Sequence, residues 1–360
     1  MSITNTTVTS VLHLYGITPQ QVKPFGSGLI NHTWLVQSDG QTYILQRVNT
    51  DVFKQPEVIA TNIDTIAAFL KYHEPSYYFV TPVLTTHNKN MVKMDDGYYR
   101  LFPFVANSHT VDVVKPPRQA EEAARQFGLF TKTLQHFNSG QLKTTIPGFH
   151  DLGWRYQQFK TALQQGNRDR LQVAQPEIAA LENNTEIVET FNHITTSKVL
   201  VQRVTHHDTK ISNVLFNEAD KGICVIDLDT VMPGYFISDV GDMMRTYLSP
   251  VREEEGNLAL VDVRDDYFAA IVKGYLTPMA TVLTNTERQY FVYSGKFMIY
   301  MQALRFLTDY LNNDQYYGAV YEGQNLVRAK NQLMLLEKLK KKEALYLGMV
   351  EEFAENAAGN

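Results

Sequence analysis

The period of the apolar residues changes once along this chain, and that change limits its fold more than any other feature. Up to about residue 104 the sequence runs in short β-rich stretches, among them "VKPFGSGLINHTWLVQS" and "QTYILQRVN". The Asp-Gly pair in the "SDGQ" between them is a hairpin signal. One segment departs from this pattern: "KQPEVIATNIDTIAAFLKYH" is apolar at helical spacing, with Pro56 suited to its first turn. Strands are also expected at "YYFVTPVL", "KNMVKMD" and "YYRLFPFV", and Pro103 punctuates the last. From about Gln119 the period becomes helical. "QAEEAARQFGLFTKTLQHF", "EIAALENNTEIVETFNHI", "RDDYFAAIVKGYL", "ERQYFVYSGKFMIYMQALRFLTDYL" and the stretch from "NLVRAKNQ" to "VEEF" each read as a helix. A β island interrupts them near "KVLVQRV" and "GICVIDLDTV". The plan is α+β in two lobes: a β-rich N-lobe over residues 1–104 and a mainly helical C-lobe over 105–360.

Bulk properties exclude several classes. A chain of 360 residues exceeds the usual single domain. A net charge of −5 argues against a broad nucleic-acid-binding face. The single cysteine, Cys224, lies in the apolar run "ICVIDL" and reads as a core residue. No window approaches the ~18 apolar residues of a membrane span. The first residues lack a basic start followed by an apolar run, so a cytoplasmic protein is expected.

The chemistry concentrates in the β island. "VTHHDTKISNVLF" (204–216) contains His206-x-Asp208-x4-Asn213, and after the turn "NEADKG" comes "VIDLD" with Asp227 and Asp229. Two strands joined by that turn would bring Asn213 beside Asp227, with Asp208 at the strand end feeding the loop. An amide and carboxylates gathered this way suit Mg2+, a hard cation that takes oxygen ligands. A separate carboxylate can orient a hydroxyl and accept its proton, which completes a part list for phosphoryl transfer. Zinc at His206 and His207 is the alternative, but neighbours on a strand point to opposite faces. Asp239 and Asp242 read as loop-fixing residues without a chemical role.

"HHDTKISN" resembles the catalytic loop of the protein-kinase-like superfamily. "VIDLD" with "SDVGDMMR" is similar to its aminoglycoside phosphotransferase and choline kinase branch. That resemblance implies a protein-kinase-like fold with ATP and Mg2+. Asp208 would be the catalytic aspartate, and Lys210 would neutralise the transferring phosphoryl group. Asn213 and Asp227 would ligate the metal, Asp229 would be a further ligand, and His206 would support the loop.

"FGSGLINHTWLV" (25–36) is a glycine turn whose amides can approach phosphate oxygens. On its position it is the expected nucleotide loop, with Gly26, Ser27, Gly28 and Asn31 as cofactor contacts. A plain turn is the alternative. In "TYILQRVN" the superfamily's cationic clamp falls on Gln46, followed by Arg47, and alternation lets only one of them face the nucleotide. Glu57 is the candidate helix partner of that clamp. Phe102 and Phe104 in "RLFPFV" are similar to the hinge that holds adenine.

The segments quoted, with "DTVMPGYF" and "ALRFLTDYLNNDQYY", further resemble the N-acetylhexosamine 1-kinase subfamily, which implies a sugar acceptor phosphorylated at O1. His32, Asp208, Tyr247, Arg305 and Tyr316 are the substrate candidates on that basis. For Arg305 the structural alternative is an i,i+4 ion pair with Asp309. The functional alternatives are a kinase of the same fold acting on choline, homoserine or an aminoglycoside, or a nucleotide-binding pseudokinase.

Overall fold

The structure, a computed structural model, describes residues 5–26 and 30–358. It divides into the two expected lobes. The first comprises α1 (Asn5–Leu14), β1 (Gln21–Pro24), β2 (His32–Ser38), β3 (Gln41–Val48), α2 (Pro56–His73), β4 (Val92–Met94) and β5 (Gly97–Pro103). Its five strands form one antiparallel sheet in the order β1-β2-β3-β5-β4. Asp39 and Gly40 both have positive φ, the two-residue turn that matches the twist of β2 and β3.

Strand alternation splits this sheet into two unlike faces. Val36, Leu45, Tyr99 and Leu101 point one way and form a core with Val8, Val11 and Leu12 of α1. That helix is not legible in "NTTVTSVLHL", where threonines interrupt the apolar spacing. The opposite face carries Thr33, Gln46 and Arg100 in one row and Leu35, Ile44 and Phe102 in the next. The strand expected at residues 77–84 does not form: the segment is irregular, with Val83 N–H donating to the Leu101 carbonyl at 2.7 Å. Pro82 lacks the donor that a longer ladder needs.

The C-lobe follows with β6 (Ser108–His109), α3 (Pro117–Thr133), α4 (Leu152–Gln165), α5 (Arg168–Val173), α6 (Gln175–Glu182) and α7 (Glu186–Ser197). The β island is β7 (Arg203–Thr205), β8 (Val214–Asn217), β9 (Gly222–Val225) and β10 (Met232–Gly234). The helices α8 (Phe236–Tyr247), α9 (Asp265–Met279), α10 (Asn285–Gln289), α11 (Phe291–Leu311), α12 (Gln324–Lys341) and α13 (Glu343–Ala358) complete it. Three segments read as single helices are broken, at residues 183–185, at Tyr290 and at Lys342. α11 is the central helix, buried at every residue but Lys296 and Thr308. It approaches α8 closely because Gly241 has no Cβ, which would overlap the Ser294 carbonyl. α3 and α9 meet the same way, where a Cβ on Gly274 would overlap the Glu121 carbonyl. Among the described residues no helix is long and apolar enough to cross a membrane.

The hydrophobic core does not divide at residue 104. Ile59, Ile63, Ile66 and Leu70 of α2 pack with the C-lobe helices rather than with the N-lobe core. A polar pin fixes that contact. Asn62, 1% exposed, donates to the carbonyls of Lys143 (2.8 Å) and Val231 (3.1 Å), and its Oδ1 accepts from Lys143 N–H (3.0 Å). α2 is thus tied to the segment that follows the β8–β9 hairpin.

Candidate active site

The loop between β7 and β8 is held from beneath by α8. Asp239 accepts the backbone N–H groups of His206 (3.0 Å) and His207 (2.7 Å), and Asp242 accepts that of Thr209 (2.8 Å). Tyr247 O–H donates to the Thr209 carbonyl at 2.6 Å. His206 is fully buried, its Nε2 is 3.0 Å from the Ile226 carbonyl, and its ring stands edge-on to Phe127. Burial lowers its pKa, so it is a neutral brace. His207 takes positive φ, and a Cβ on the facing Gly234 would overlap its imidazole. These three amide contacts fix the course of the loop, and that course leaves the Asp208 side chain partly exposed.

Four polar groups converge there. Lys210 Nζ lies 3.2 Å from Asp208 Oδ2, and the carboxylates of Asp208 and then Asp227 raise the lysine pKa against the cost of burial. Asn213 Nδ2 donates to the Asp208 carbonyl at 2.9 Å, which leaves its amide oxygen for another partner. The β8–β9 hairpin brings Asp227 alongside, since Val214 pairs Val225 and Ile226 N–H donates to the Asn213 carbonyl at 2.9 Å. Asp227 has φ of 60°, a left-handed conformation that aspartate tolerates better than most residues. Such strain clusters at functional sites. The Asp227 pKa is pushed up by desolvation, then by the charges of Asp229 and Asp208, although the residue is exposed on one side of the site. Among the described residues Asp227 makes no ion pair, and His, Cys, Asp and Glu alone gather nowhere in a group of three that could hold a metal. An amide oxygen plus one underneutralised carboxylate is a donor set that fits Mg2+ with water completing its shell.

The N-lobe faces this group with an unexpected cation. Arg100 stands directly opposite Gln46 on the strand ladder and donates Nε (3.1 Å) and Nη2 (2.9 Å) to its Oε1. Its Nη1 pairs with Asp229 Oδ1 at 2.5 Å, both side chains being 2% exposed. Distance makes this an ion pair, although neither atom has a well-angled hydrogen bond. Arg100 was missed because an arginine in a β-rich run reads as a solvated edge. The ladder register, invisible in one sequence, turns it inward.

Several expected roles are corrected by these contacts. Arg47 is no clamp: it lies on the other side of the sheet and donates Nε to the Asp96 carbonyl at 2.8 Å. Glu57 is exposed and does not pair with that row, and a hydrogen bond from Tyr98 holds its pKa low. Asp229 is no free ligand, because Arg100 takes one oxygen and Asn31 Nδ2 donates to the other at 2.8 Å. The Asn31 Oδ1 accepts Asn49 N–H at 3.0 Å, so this side chain bridges Asn49 and Asp229. Tyr247 is fully buried under the loop and cannot touch a substrate.

Gly26 takes φ of 79° with open space at its missing Cβ, whereas Ser27 and Gly28 lie outside the described residues. Gln46 and Phe102 sit on the sheet face shared with Arg100, whose guanidinium is 5.1 Å from the Phe102 ring. Phe104 N–H is taken by the Thr42 carbonyl (3.0 Å), and its ring meets Phe25 of the glycine turn edge-on at 6.2 Å. His32 is exposed beside Trp34 at the start of β2. Arg305 does not bridge to Asp309, whose oxygens cap Tyr316 and Tyr317 N–H (2.7 and 2.9 Å). It turns instead to Tyr316, whose hydroxyl accepts from Nη2 at 3.3 Å. Around it gather Phe149, His150 and Arg155, none of them singled out in the sequence. His150 reaches the loop between β7 and β8, its ring centroid 5.2 Å from that of His207.

A two-lobed fold with a clamped aspartate loop beside a carboxylate-bearing hairpin is the architecture of kinase-like phosphotransferases. The chain belongs to the phosphotransferase enzyme family, whose sequence model matches residues 21–275. Solved structures share the fold over nearly the whole chain. An aminoglycoside phosphotransferase from Alicyclobacillus acidocaldarius is 14% identical, with TM-score 0.66, covering 99% of this chain and 98% of its own. A microcompartment-associated aminopropanol kinase is 15% identical, with TM-score 0.65, covering 95% and 98%. A spectinomycin phosphotransferase, in complex with ADP and spectinomycin, is 13% identical, with TM-score 0.59, covering 95% and 100%.

Proposed function

We propose that this protein is an ATP-dependent kinase that moves the γ-phosphoryl group onto a hydroxyl of a small molecule, with O1 of an N-acetylhexosamine (GlcNAc or GalNAc) as the acceptor. The observation that carries the reaction type is the pairing of Asp208 with Lys210 on a loop clamped by Asp239 and Asp242, beside Asn213 and Asp227.

Asp208 orients the acceptor hydroxyl and takes its proton on a carboxylate oxygen. Lys210, 3.2 Å from that carboxylate, places a positive charge where negative charge builds up. Asn213 Oδ1 and the Asp227 carboxylate would hold Mg2+, which when bound neutralises the phosphate oxygens. The transition state of phosphoryl transfer is loose, so positioning and charge neutralisation supply most of the rate. Asp208→Asn is expected to lower turnover about 10^2–10^4-fold while leaving ATP affinity unchanged. Turnover like that of the unaltered chain would remove Asp208 from this role.

A second acceptor class has specific support: the fold neighbours include an aminopropanol kinase and a spectinomycin phosphotransferase. Amino alcohols and aminoglycosides are cations, however, and the acceptor side here presents Arg305 and Arg155 with aromatic rings. Such a lining disfavours a cationic acceptor and suits a sugar, whose oxygens accept from guanidinium and whose ring stacks on Tyr316. A coupled assay across N-acetylhexosamines, amino alcohols, homoserine and aminoglycosides separates the two. Turnover of a cationic acceptor alone would overturn the sugar assignment.

A further inference from the structure

Arg155 and Arg305 are buried together without a counter-charge. They are 6% and 9% exposed, and their guanidinium carbons lie 5.8 and 5.7 Å from the same Tyr316 ring. Among the described residues neither has a carboxylate within ion-pair distance, and the Nε of each is buried without a hydrogen-bond partner. The bonds they do make are long: Arg155 to Gln158 at 3.2 Å, and Arg305 to Gln302 at 3.4 Å and Tyr316 at 3.3 Å. His150 adds a third unsatisfied group, its Nδ1 buried with no partner. Acids nearby are engaged elsewhere, Asp309 on loop amides and Glu253 on Arg245. Rings beside the guanidiniums offset part of the desolvation, but they do not remove the repulsion between two like charges.

That repulsion is felt. After burial, the Arg305 charge is the main influence lowering the Arg155 pKa, to about 10. His150 is driven well below its ordinary value by burial, then by His207 and by Arg305, Arg245 and Arg155, so it is neutral and able to donate. A cluster of two guanidinium forks and a neutral imidazole lacks one thing, a group with several acceptor oxygens and negative charge.

We propose that Arg155, Arg305 and His150 form an oxyanion-binding pocket beside the catalytic loop, which takes a carboxylate or phosphate group. The exposed Tyr316 forms its outer wall, and His207 joins it to Asp208. The oxyanion arrives either as a substituent of the acceptor or as a free phosphate ion. This goes beyond the acceptor assignment above, since a neutral hexosamine does not supply the charge.

The test uses the full chain saturated with Mg2+ and a non-hydrolysable ATP analogue, so that the nucleotide site is filled. Inorganic phosphate and glucuronate are titrated by calorimetry at constant ionic strength. Saturable binding of at least one is expected, weakened about tenfold or more in R155Q and in R305Q. R155K, which keeps the charge and loses the fork, should fall between; it also serves if R155Q melts early. A second arm compares kcat/KM for N-acetylglucosamine and its 6-phosphate. An acceptor-borne oxyanion shows as a preference for the charged sugar that R155Q abolishes. A free ion shows as phosphate altering the KM of the neutral sugar. Absence of saturable binding of either probe, or binding unchanged in R155Q, R155K and R305Q, overturns the proposal. Because binding is read without turnover, it can fail or stand independently of the kinase assignment.

Discussion

Removing the guanidinium of Arg100 strands a carboxylate in the wall between the lobes. Arg100 and Asp229 are both about 2% exposed, and among the described residues Asp229 would keep only the Asn31 amide as a partner. Breaking a buried pair from one side costs about 3–5 kcal/mol, so Arg100→Met and Asp229→Asn should each lose that much. The double variant leaves no buried charge unpaired. It should therefore be no less stable than either single, which implies a coupling energy of at least about 3 kcal/mol. Urea unfolding of the four proteins, with the m-value checked for constancy, measures each corner of the cycle. Singles that cost under about 1 kcal/mol and add within about 0.5 kcal/mol would refute the reasoning. Asp229 would then be a screened group free to serve elsewhere, including on a metal.

Three other outcomes are expected. Burial holds His207 down at about 4, and His150 and His206 are lowered too, so the folded state refuses protons that the unfolded chain accepts below about pH 6.5. Stability contributed by these groups is therefore full above that pH and falls toward pH 4, His207 alone accounting for about 3 kcal/mol. His207→Asn should flatten the acid limb in pH-dependent melting. Asn62→Ala removes three hydrogen bonds between α2 and the C-lobe and should cost about 2–4 kcal/mol by urea titration. Gly274→Ala forces α9 away from the Glu121 carbonyl and should lower the melting temperature, whereas Gly256→Ala, with only the end of the Val327 side chain near, should not.

The resemblance in "HHDTKISN" and "VIDLD" foretold the reaction class, because chemistry at a metal and a hydroxyl demands particular side chains at short, local spacing. Hairpin geometry then follows from the chain itself: the turn at 217–222 brings Asn213 beside Asp227 as its length requires. The two-lobed plan was legible for the same reason, since periods of two and 3.6 are properties of contiguous residues. The roles of individual charges were not. Whether Gln46, Arg47 or Arg100 faces the cleft depends on which strands pair and in what register. Whether Asp229 is free depends on what the other lobe brings to it. Arg155, from α4, meets Arg305, from α11, only when two helices 150 residues apart in the chain pack together. Local sequence determined what this protein can do at one aspartate; long-range packing decided which charges surround it, because electrostatic partnership is a matter of distance in space and not along the chain.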